Sequence, residues 1–342
     1  MKKNKRILII GIGSIGKNYL NEAIKRKLKC FVFDLKYSPT SSQNTTYISS
    51  KLELKKILSQ INIDYAVISS WTNSHFEYFK LLTKFNIKNI LIEKPICSSM
   101  GELKEIKRII KEKKIKIFSN YRWRLANIHN KINNLSDKYN LGEIISINSI
   151  GGAFCLSTGG FHILDLIFSL TNLKLDNINI YSKINRTKIN PRNKYFFIYE
   201  GFINLYNKKN EFYASINYTN NSYLSPIQII NFREAVMYFT IDGKYKIYSS
   251  TKRRIMKKNP ITKYELFNKL IGKGTLIRNH FNSAKISIDN IIKDKSLPEK
   301  LVFAPQILLF CALYSDKYKR EMNNRNLNHL SKSELNKKWV IT

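Results

Sequence analysis

The chain has 342 residues, long enough for two domains with substantial cores, and its 59 Lys and Arg against 24 Asp and Glu leave a formal charge of +35. The basic residues are spread from end to end among many Asn and Ile, with no run of five or more and the densest cluster at Lys252–Lys258. That spread argues against a specific nucleic-acid face and leaves attraction to anionic small molecules in place.

Cys30, Cys97, Cys155 and Cys311 form no C-x-x-C pair, so neither a disulfide framework nor a zinc knuckle is signalled. No metal is expected, no stretch approaches a membrane span, and the chain reads as reduced and cytoplasmic. The opening MKKNKRILIIGIG has its apolar run broken by glycines and Lys17 and no small-residue cleavage site, so it reads as a strand rather than a signal peptide.

Ile7–Ile10 is an all-apolar run, as expected of a strand buried on both faces of a parallel sheet. It enters Gly11-Ile12-Gly13-Ser14-Ile15-Gly16 and then a helical segment from Lys17 to Lys27. In such a strand–turn–helix, Gly11 permits the tight turn, Gly13 lets a pyrophosphate approach the backbone, and Gly16 allows close helix–strand packing. The helix N-terminus offers unpaired N–H groups to the phosphates. Cys30–Asp34 reads as the next strand, ending in an acid about twenty residues on, placed to accept the ribose hydroxyls of NAD and repel a 2′-phosphate. NADP stays open, because Lys36 could meet a 2′-phosphate if the loop turned.

Tyr37–Thr46 is polar and predicts a loop, and Leu52–Gln60 has amphipathic helical spacing. Ile63–Ser69 predicts a third buried strand, closing on Ser70-Trp71-Thr72-Asn73-Ser74-His75. A helix over Phe76–Lys84, a strand over Asn89–Ile92 ending in Glu93-Lys94-Pro95, a helix over Met100–Lys113 and a strand over Ile115–Ser119 continue the alternation. That rhythm predicts a doubly wound parallel sheet with ligands at the carboxyl ends of its strands.

Beyond Asn120 the pattern changes. Tyr121–Leu135 predicts a helix, Glu143–Ile150 a strand and Phe161–Leu170 a helix. Strand-like segments follow at Ile178–Ser182, Tyr195–Tyr199, Phe212–Tyr218 and Gln228–Phe232, and Asp242-Gly243 signals a hairpin between Val236–Ile241 and Lys244–Tyr248. Lys257–Asn282 is ambiguous, and Leu301–Lys317 reads as an apolar helix. The expected architecture is an α/β Rossmann-type parallel sheet over residues 1–120, plus a C-terminal α+β domain with an open, mostly antiparallel sheet over 121–342. The helix near 301–317 is expected to pack back on the first domain.

Three stretches carry chemistry. Lys94 ends a sheet strand at the ligand edge, where burial and neighbouring cations lower a lysine pKa, although a solvated lysine at a strand end fits the spacing equally. In Gly159–Leu170 the polar exceptions His162, Asp165 and Ser169 share one helix face; an imidazole with a pKa near ~6.5 suits proton transfer, and a His–Asp staple is the other reading. Arg122 and Arg124 follow the last sheet strand and either clamp an anion or decorate an exposed helix start. His75 reads more as a helix-start or packing residue than a catalyst, and His129, His280 and His329 have no partner in the pattern. Cys155 has no basic neighbour in sequence to activate it.

Taken together, Gly11–Gly16, Asn73 with His75, Glu93-Lys94-Pro95 and Gly160-x-His162-x-x-Asp165 resemble the glucose–fructose oxidoreductase / inositol dehydrogenase (Gfo/Idh/MocA) family. The motifs cover the N-terminal half in order and spacing; the C-terminal half matches in overall character, an open-faced sheet that in this family often forms a dimer interface. The resemblance implies hydride transfer between a nicotinamide and a secondary alcohol or ketone of a sugar, cyclitol or nucleotide sugar, in a homodimer or homotetramer. It implies a catalytic Lys94 and His162, with Asp165, Thr158, Arg122 and Arg124 on the substrate. Cofactor contacts would come from Gly11, Gly13, Ser14, Ile15, Gly16, Asp34, Ser70, Trp71, Asn73, His75, Glu93 and Lys94. The family commonly carries an Asp four residues before the histidine, where this chain has Thr158. A threonine hydrogen-bonds but cannot act as a carboxylate, so a nicotinamide-binding sensor or scaffold without turnover is the alternative.

Overall fold

Short apolar runs and the turns between them build the first sheet. The computed structural model describes residues 5–36, 44–152, 155–171, 173–187, 197–207, 209, 211–250, 268–277 and 281–340. Residues 37–43 of the polar loop, the basic cluster Lys252–Lys258, His280 and most of the ambiguous 257–282 segment lie outside the described residues. Two compact units are present: Met1–Leu125 with Asn282–Gln306 and His329–Thr342, and Ala126–Phe281 with Ile307–Asn328.

In chain order the first unit begins with β1 (Arg6–Ile10), α1 (Ser14–Lys25), β2 (Lys29–Phe33), β3 (Thr45–Ile48), α2 (Lys51–Gln60) and β4 (Tyr65–Ile68). It continues through α3 (Thr72–Lys84), β5 (Asn89–Ile92), α4 (Met100–Lys113), β6 (Lys116–Ser119) and α5 (Arg122–Leu125). The six strands pair in parallel in the order β3-β2-β1-β4-β5-β6. The order reverses between β1 and β4, and that switch point opens a crevice at the carboxyl ends of the strands. Helices α2 and α4 start on the S-x-x-E pattern: Ser50 accepts from Glu53 N at 3.1 Å and Ser99 from Glu102 N at 3.1 Å. Each glutamate returns the bond to the backbone ahead of the cap, Glu53 to Ser49 N at 3.0 Å and Glu102 to Ser98 N at 2.9 Å.

The second unit contains α6 (Ile128–Tyr139), β7 (Ile144–Gly152), α7 (Gly159–Thr171), β8 (Asn179–Thr187), β9 (Ile198–Asn207) and β10 (Phe212–Thr219). It adds β11 (Ile227–Phe232), β12 (Ala235–Thr240), β13 (Lys244–Ser250) and β14 (Asn268–Thr275). Its eight strands run β14-β13-β12-β11-β7-β10-β9-β8, antiparallel throughout except for the β7–β10 pair. Side chains alternate across this sheet: Ile147, Ala214, Ile216, Ile230, Met237 and Phe239 are buried, whereas Ile150, Tyr213, Ile227 and Tyr238 are exposed. Helix α7 packs on β7 and β10.

The chain ends with α8 (Ser283–Ile292), α9 (Glu299–Tyr318), α10 (Asn324–Asn328) and α11 (Lys332–Leu335). In the first unit α8 lies against α1, where Ile288 and Ile291 join Ile7, Tyr19, Ala23 and Val67 in one core cluster. Residues Glu299–Gln306 of α9 belong to the first unit and Ile307–Tyr318 to the second.

Four local readings need correction. The polar 37–46 stretch passes into a short edge strand, β3, whose Thr-Thr-Tyr-Ile has β-forming side chains but no apolar run. Helix α3 starts at Thr72, so Asn73–His75 form its first turn rather than a loop. The helix expected over Tyr121–Leu135 is two helices, because Asn127 takes a left-handed φ of 57° between α5 and α6. The ambiguous 257–282 stretch contains β14.

Candidate active site

The glycine turn is shaped by contact. Gly11 has φ +90°, and a Cβ on it would stand 2.5 Å from Ser70 N; a Cβ on Gly16 would stand 2.1 Å from the Gly11 carbonyl oxygen. Neither position tolerates a side chain. Around Gly13, by contrast, a Cβ would meet nothing within 4 Å, so the turn is tight on its protein side and open on the other. The first intrahelical bond of α1 runs from Lys17 N to Gly13 O at 3.0 Å, and no acid occupies the first turn. The N–H groups of Ser14, Ile15 and Gly16 therefore precede the ladder at the positive end of the helix. Asp34 closes the cradle: Oδ2 accepts from Ile12 N at 2.8 Å and Oδ1 from Lys36 N at 2.8 Å. A carboxylate has about four acceptor sites, so two backbone donors fix its orientation and leave capacity for ribose hydroxyls. Room at Gly13, free helix N–H groups and an oriented acid fit a dinucleotide.

A second turn lies on the other side of the switch point. Ser70 and Ser74 share a hydroxyl contact of 2.7 Å, Trp71 is 43% exposed at the start of α3, and the Asn73 Oδ1 is buried without a hydrogen-bond partner. The His75 side chain is turned inward. It is 1% exposed, with Nε2 2.8 Å from Ser70 O and Nδ1 3.1 Å from Pro95 O. Burial pushes its pKa below the ordinary imidazole value, against the pull of the Ser70 and Pro95 carbonyls. The ring is a strut between two ligand-edge turns.

Lys94 sits in the third turn, half-buried, joined to Pro95 by a cis peptide bond. The preceding Glu93 is 7% exposed, and its N–H bonds Ile68 O at 2.9 Å. Its carboxylate also turns inward: Oε2 accepts from Lys94 N at 3.2 Å, and Oε1 accepts from Asn120 Nδ2 at 3.0 Å and from the Tyr19 hydroxyl. The Glu93 side chain is therefore committed to the turn. Beyond the proline, Gln306 Oε1 accepts from Ile96 N at 2.8 Å. Tyr19, Asn120 and Gln306 were not singled out in the sequence. The available signal was a hydroxyl on the buried face of α1, since a buried Tyr O–H needs a partner.

In the second unit, Gly159 and Gly160 N–H groups converge on Cys155 O at 2.7 and 3.1 Å to start α7. Asp165 is 1% exposed, while His162 and Thr158 are partly exposed. The Ser169 hydroxyl is taken by Asp165 backbone oxygen at 2.5 Å and adds nothing to the polar face. The Cys155 thiol accepts from Tyr199 N at 3.3 Å. Arg122 and Arg124 stand two positions apart on the one-turn helix α5, with Arg122 exposed and Arg124 half-buried. Among the described residues no group of three or more His, Cys, Asp or Glu could hold a metal ion, and no helix is long and apolar enough to cross a membrane.

Residues 5–121 match the family described as an oxidoreductase family with an NAD-binding Rossmann fold, GFO_IDH_MocA. No curated protein matches the sequence. Among solved structures the chain is similar to the UDP-N-acetylglucosamine 3-dehydrogenase GnnA from Acidithiobacillus ferrooxidans, at 14% identity and a TM-score of 0.64 over 92% of this chain and 97% of that one. An oxidoreductase from Agrobacterium radiobacter in complex with NAD+, L-tartaric acid and magnesium aligns at 11% identity and TM-score 0.68 over 95% and 100% of the chains. A super-repressor mutant of Gal80p from Saccharomyces cerevisiae aligns at 14% identity and TM-score 0.69 over 96% and 100%. At these identities the likeness establishes the shared fold.

Two outcomes follow from this geometry. Gly13→Ala should keep the thermal midpoint of the wild type, because its Cβ enters open space, yet weaken NADH binding in a fluorescence titration by about 10-fold, ~1.4 kcal/mol; unchanged affinity would remove this turn as the cradle. Because the folded-state pKa of His75 is depressed, its contribution to stability is present above the unfolded value near ~6.5 and is lost as pH falls through the folded pKa. The thermal midpoint should therefore fall on acidification from neutral pH, and His75→Gln should reduce that fall; parallel profiles for the two proteins would contradict it.

Proposed function

The Rossmann domain of this chain, residues 5–121, is that of the Gfo/Idh/MocA oxidoreductases, and we propose that the whole chain catalyses NAD-dependent hydride transfer at a secondary alcohol or ketone. The substrate class is a sugar, cyclitol or nucleotide sugar. One observation carries this reading: Lys94 stands at the carboxyl edge of the sheet that bears the glycine turn, in a turn held by a part-buried hydrogen bond at Lys94 N and a buried one at Ile96 N. That is more order than a solvated strand-end lysine needs.

The nicotinamide, when bound, supplies the hydride acceptor or donor. The chain's part is to bind and to manage charge and protons. Gly11–Gly16 and Asp34 hold the dinucleotide, with Asp34 favouring NAD over NADP. In the oxidation direction the substrate C–H bond breaks with its electron pair, the carbinol oxygen loses its proton, and a carbonyl forms. The Lys94 ammonium stabilises the developing alkoxide, and the His162 imidazole takes the hydroxyl proton. Thr158 serves as a substrate-side hydrogen-bonding group, without the charge of the family's usual Asp.

The excess of cations supports an anionic substrate such as a nucleotide sugar or uronate. A likeness to a UDP-N-acetylglucosamine 3-dehydrogenase agrees with that class. The open sheet face with Ile150, Tyr213, Ile227 and Tyr238 supports a homodimer or homotetramer through the second unit. Its four free cysteines, three of them buried, suit a reducing, cytoplasmic setting.

His162→Ala should lower kcat by on the order of 10²–10⁴-fold, the usual range for general acid–base groups, with NADH affinity retained. The measurement is NAD(H) turnover over a panel of sugars, cyclitols and nucleotide sugars. Unchanged turnover in this variant would remove His162 from the mechanism, and nicotinamide binding without turnover anywhere in the panel would favour the sensor reading.

A further inference from the structure

Tyr19 belongs to α1, three residues beyond the last glycine of the cradle, and has no exposed surface. Its ring fills the core between α1 and α8, a task phenylalanine would do as well. The hydroxyl has a separate destination, Oε1 of Glu93, which the Asn120 amide also reaches at 3.0 Å. The other carboxylate oxygen receives the backbone N–H of Lys94 at 3.2 Å. One buried carboxylate is thus held by α1 and the residue after β6 on one oxygen, and by the Lys94 peptide on the other. Burial first, then the charge and hydrogen bond of Glu93, push the Tyr19 phenol well above its usual pKa, so it stays a protonated donor.

We propose that Tyr19 is a positioning residue for Lys94: through Glu93 it ties the peptide that carries the lysine to the helix that cradles the dinucleotide. The proposal rests on the catalytic reading of Lys94 for its consequence, though not for its geometry. Without the hydroxyl, Oε1 keeps a single donor in a buried site. The carboxylate then turns toward what remains, and Oε2 takes the Lys94 N–H with it. A shift of this kind at a reacting group carries a rate penalty far larger than its effect on binding.

Tyr19→Phe keeps the ring and removes the bond. The direct readout is the Lys94 side chain itself: full-length protein reductively methylated with 13C, its Lys94 dimethylamine resonance assigned by absence in Lys94→Arg. In Tyr19→Phe that resonance should be displaced from its wild-type position, and Asn120→Ala, which removes the other donor to the same oxygen, should displace it too. If Tyr19→Phe fails to fold, Asn120→Ala gives the same reading. A Lys94 resonance coincident with wild type in the folded variant overturns the proposal, since a tyrosine that only fills the core would leave it in place. Where the enzyme turns over a substrate, kcat of Tyr19→Phe should fall by on the order of 10- to 100-fold with little change in KM. That loss should vanish in a Lys94→Ala background. A displaced resonance in a protein without turnover leaves the positioning role standing and removes the catalytic reading; turnover with an unmoved resonance does the reverse.

Discussion

Removing a carboxylate from water costs several kcal/mol unless its oxygens are met by donors. Glu93 meets that condition with a tyrosine hydroxyl, an asparagine amide and a backbone N–H from three separate elements. The ligand edge of the first unit depends on this arrangement. It joins α1 to the turn after β5 and to the residue after β6, while His75 links the turn after β4 to the same proline-containing segment. The cofactor cradle, the Ser70–Asn73 turn and Lys94 are therefore held as one structure, although each arises from a different strand end. Breaking one donor leaves a buried charge under-satisfied rather than merely losing a contact.

The parts legible in the sequence share a physical reason. Strands buried on both faces read as apolar runs, so Ile7–Ile10 and Tyr65–Ile68 announce themselves, and a turn that tolerates no Cβ must spell glycine, as at Gly11 and Gly16. The Asp242-Gly243 hairpin is equally local, with Gly243 at φ +87°. What was hidden depends on distant partners. Nothing near Tyr19 says that its hydroxyl will meet Glu93. Strand β3 escaped because an edge position does not require an apolar run.

The same fold carries an NAD+-bound oxidoreductase and a repressor, so architecture alone decides nothing about chemistry. The distinction rests on particular groups. Lys94 lies in the hydrogen-bonded turn after β5 of the first unit, and His162 lies in the first turn of α7 of the second. Thr158 stands four residues before His162, where the family this chain resembles commonly carries an Asp, and a hydroxyl cannot supply a carboxylate's charge.

Hydride transfer by this chain is tested most directly by a label that follows the hydride. With NADH deuterated at C4 and a panel of keto-sugars and nucleotide keto-sugars, mass spectrometry should find one deuterium on the carbinol carbon of the reduced product. NADH bound, as seen by its fluorescence, with no deuterium transferred to any member of the panel would contradict the account.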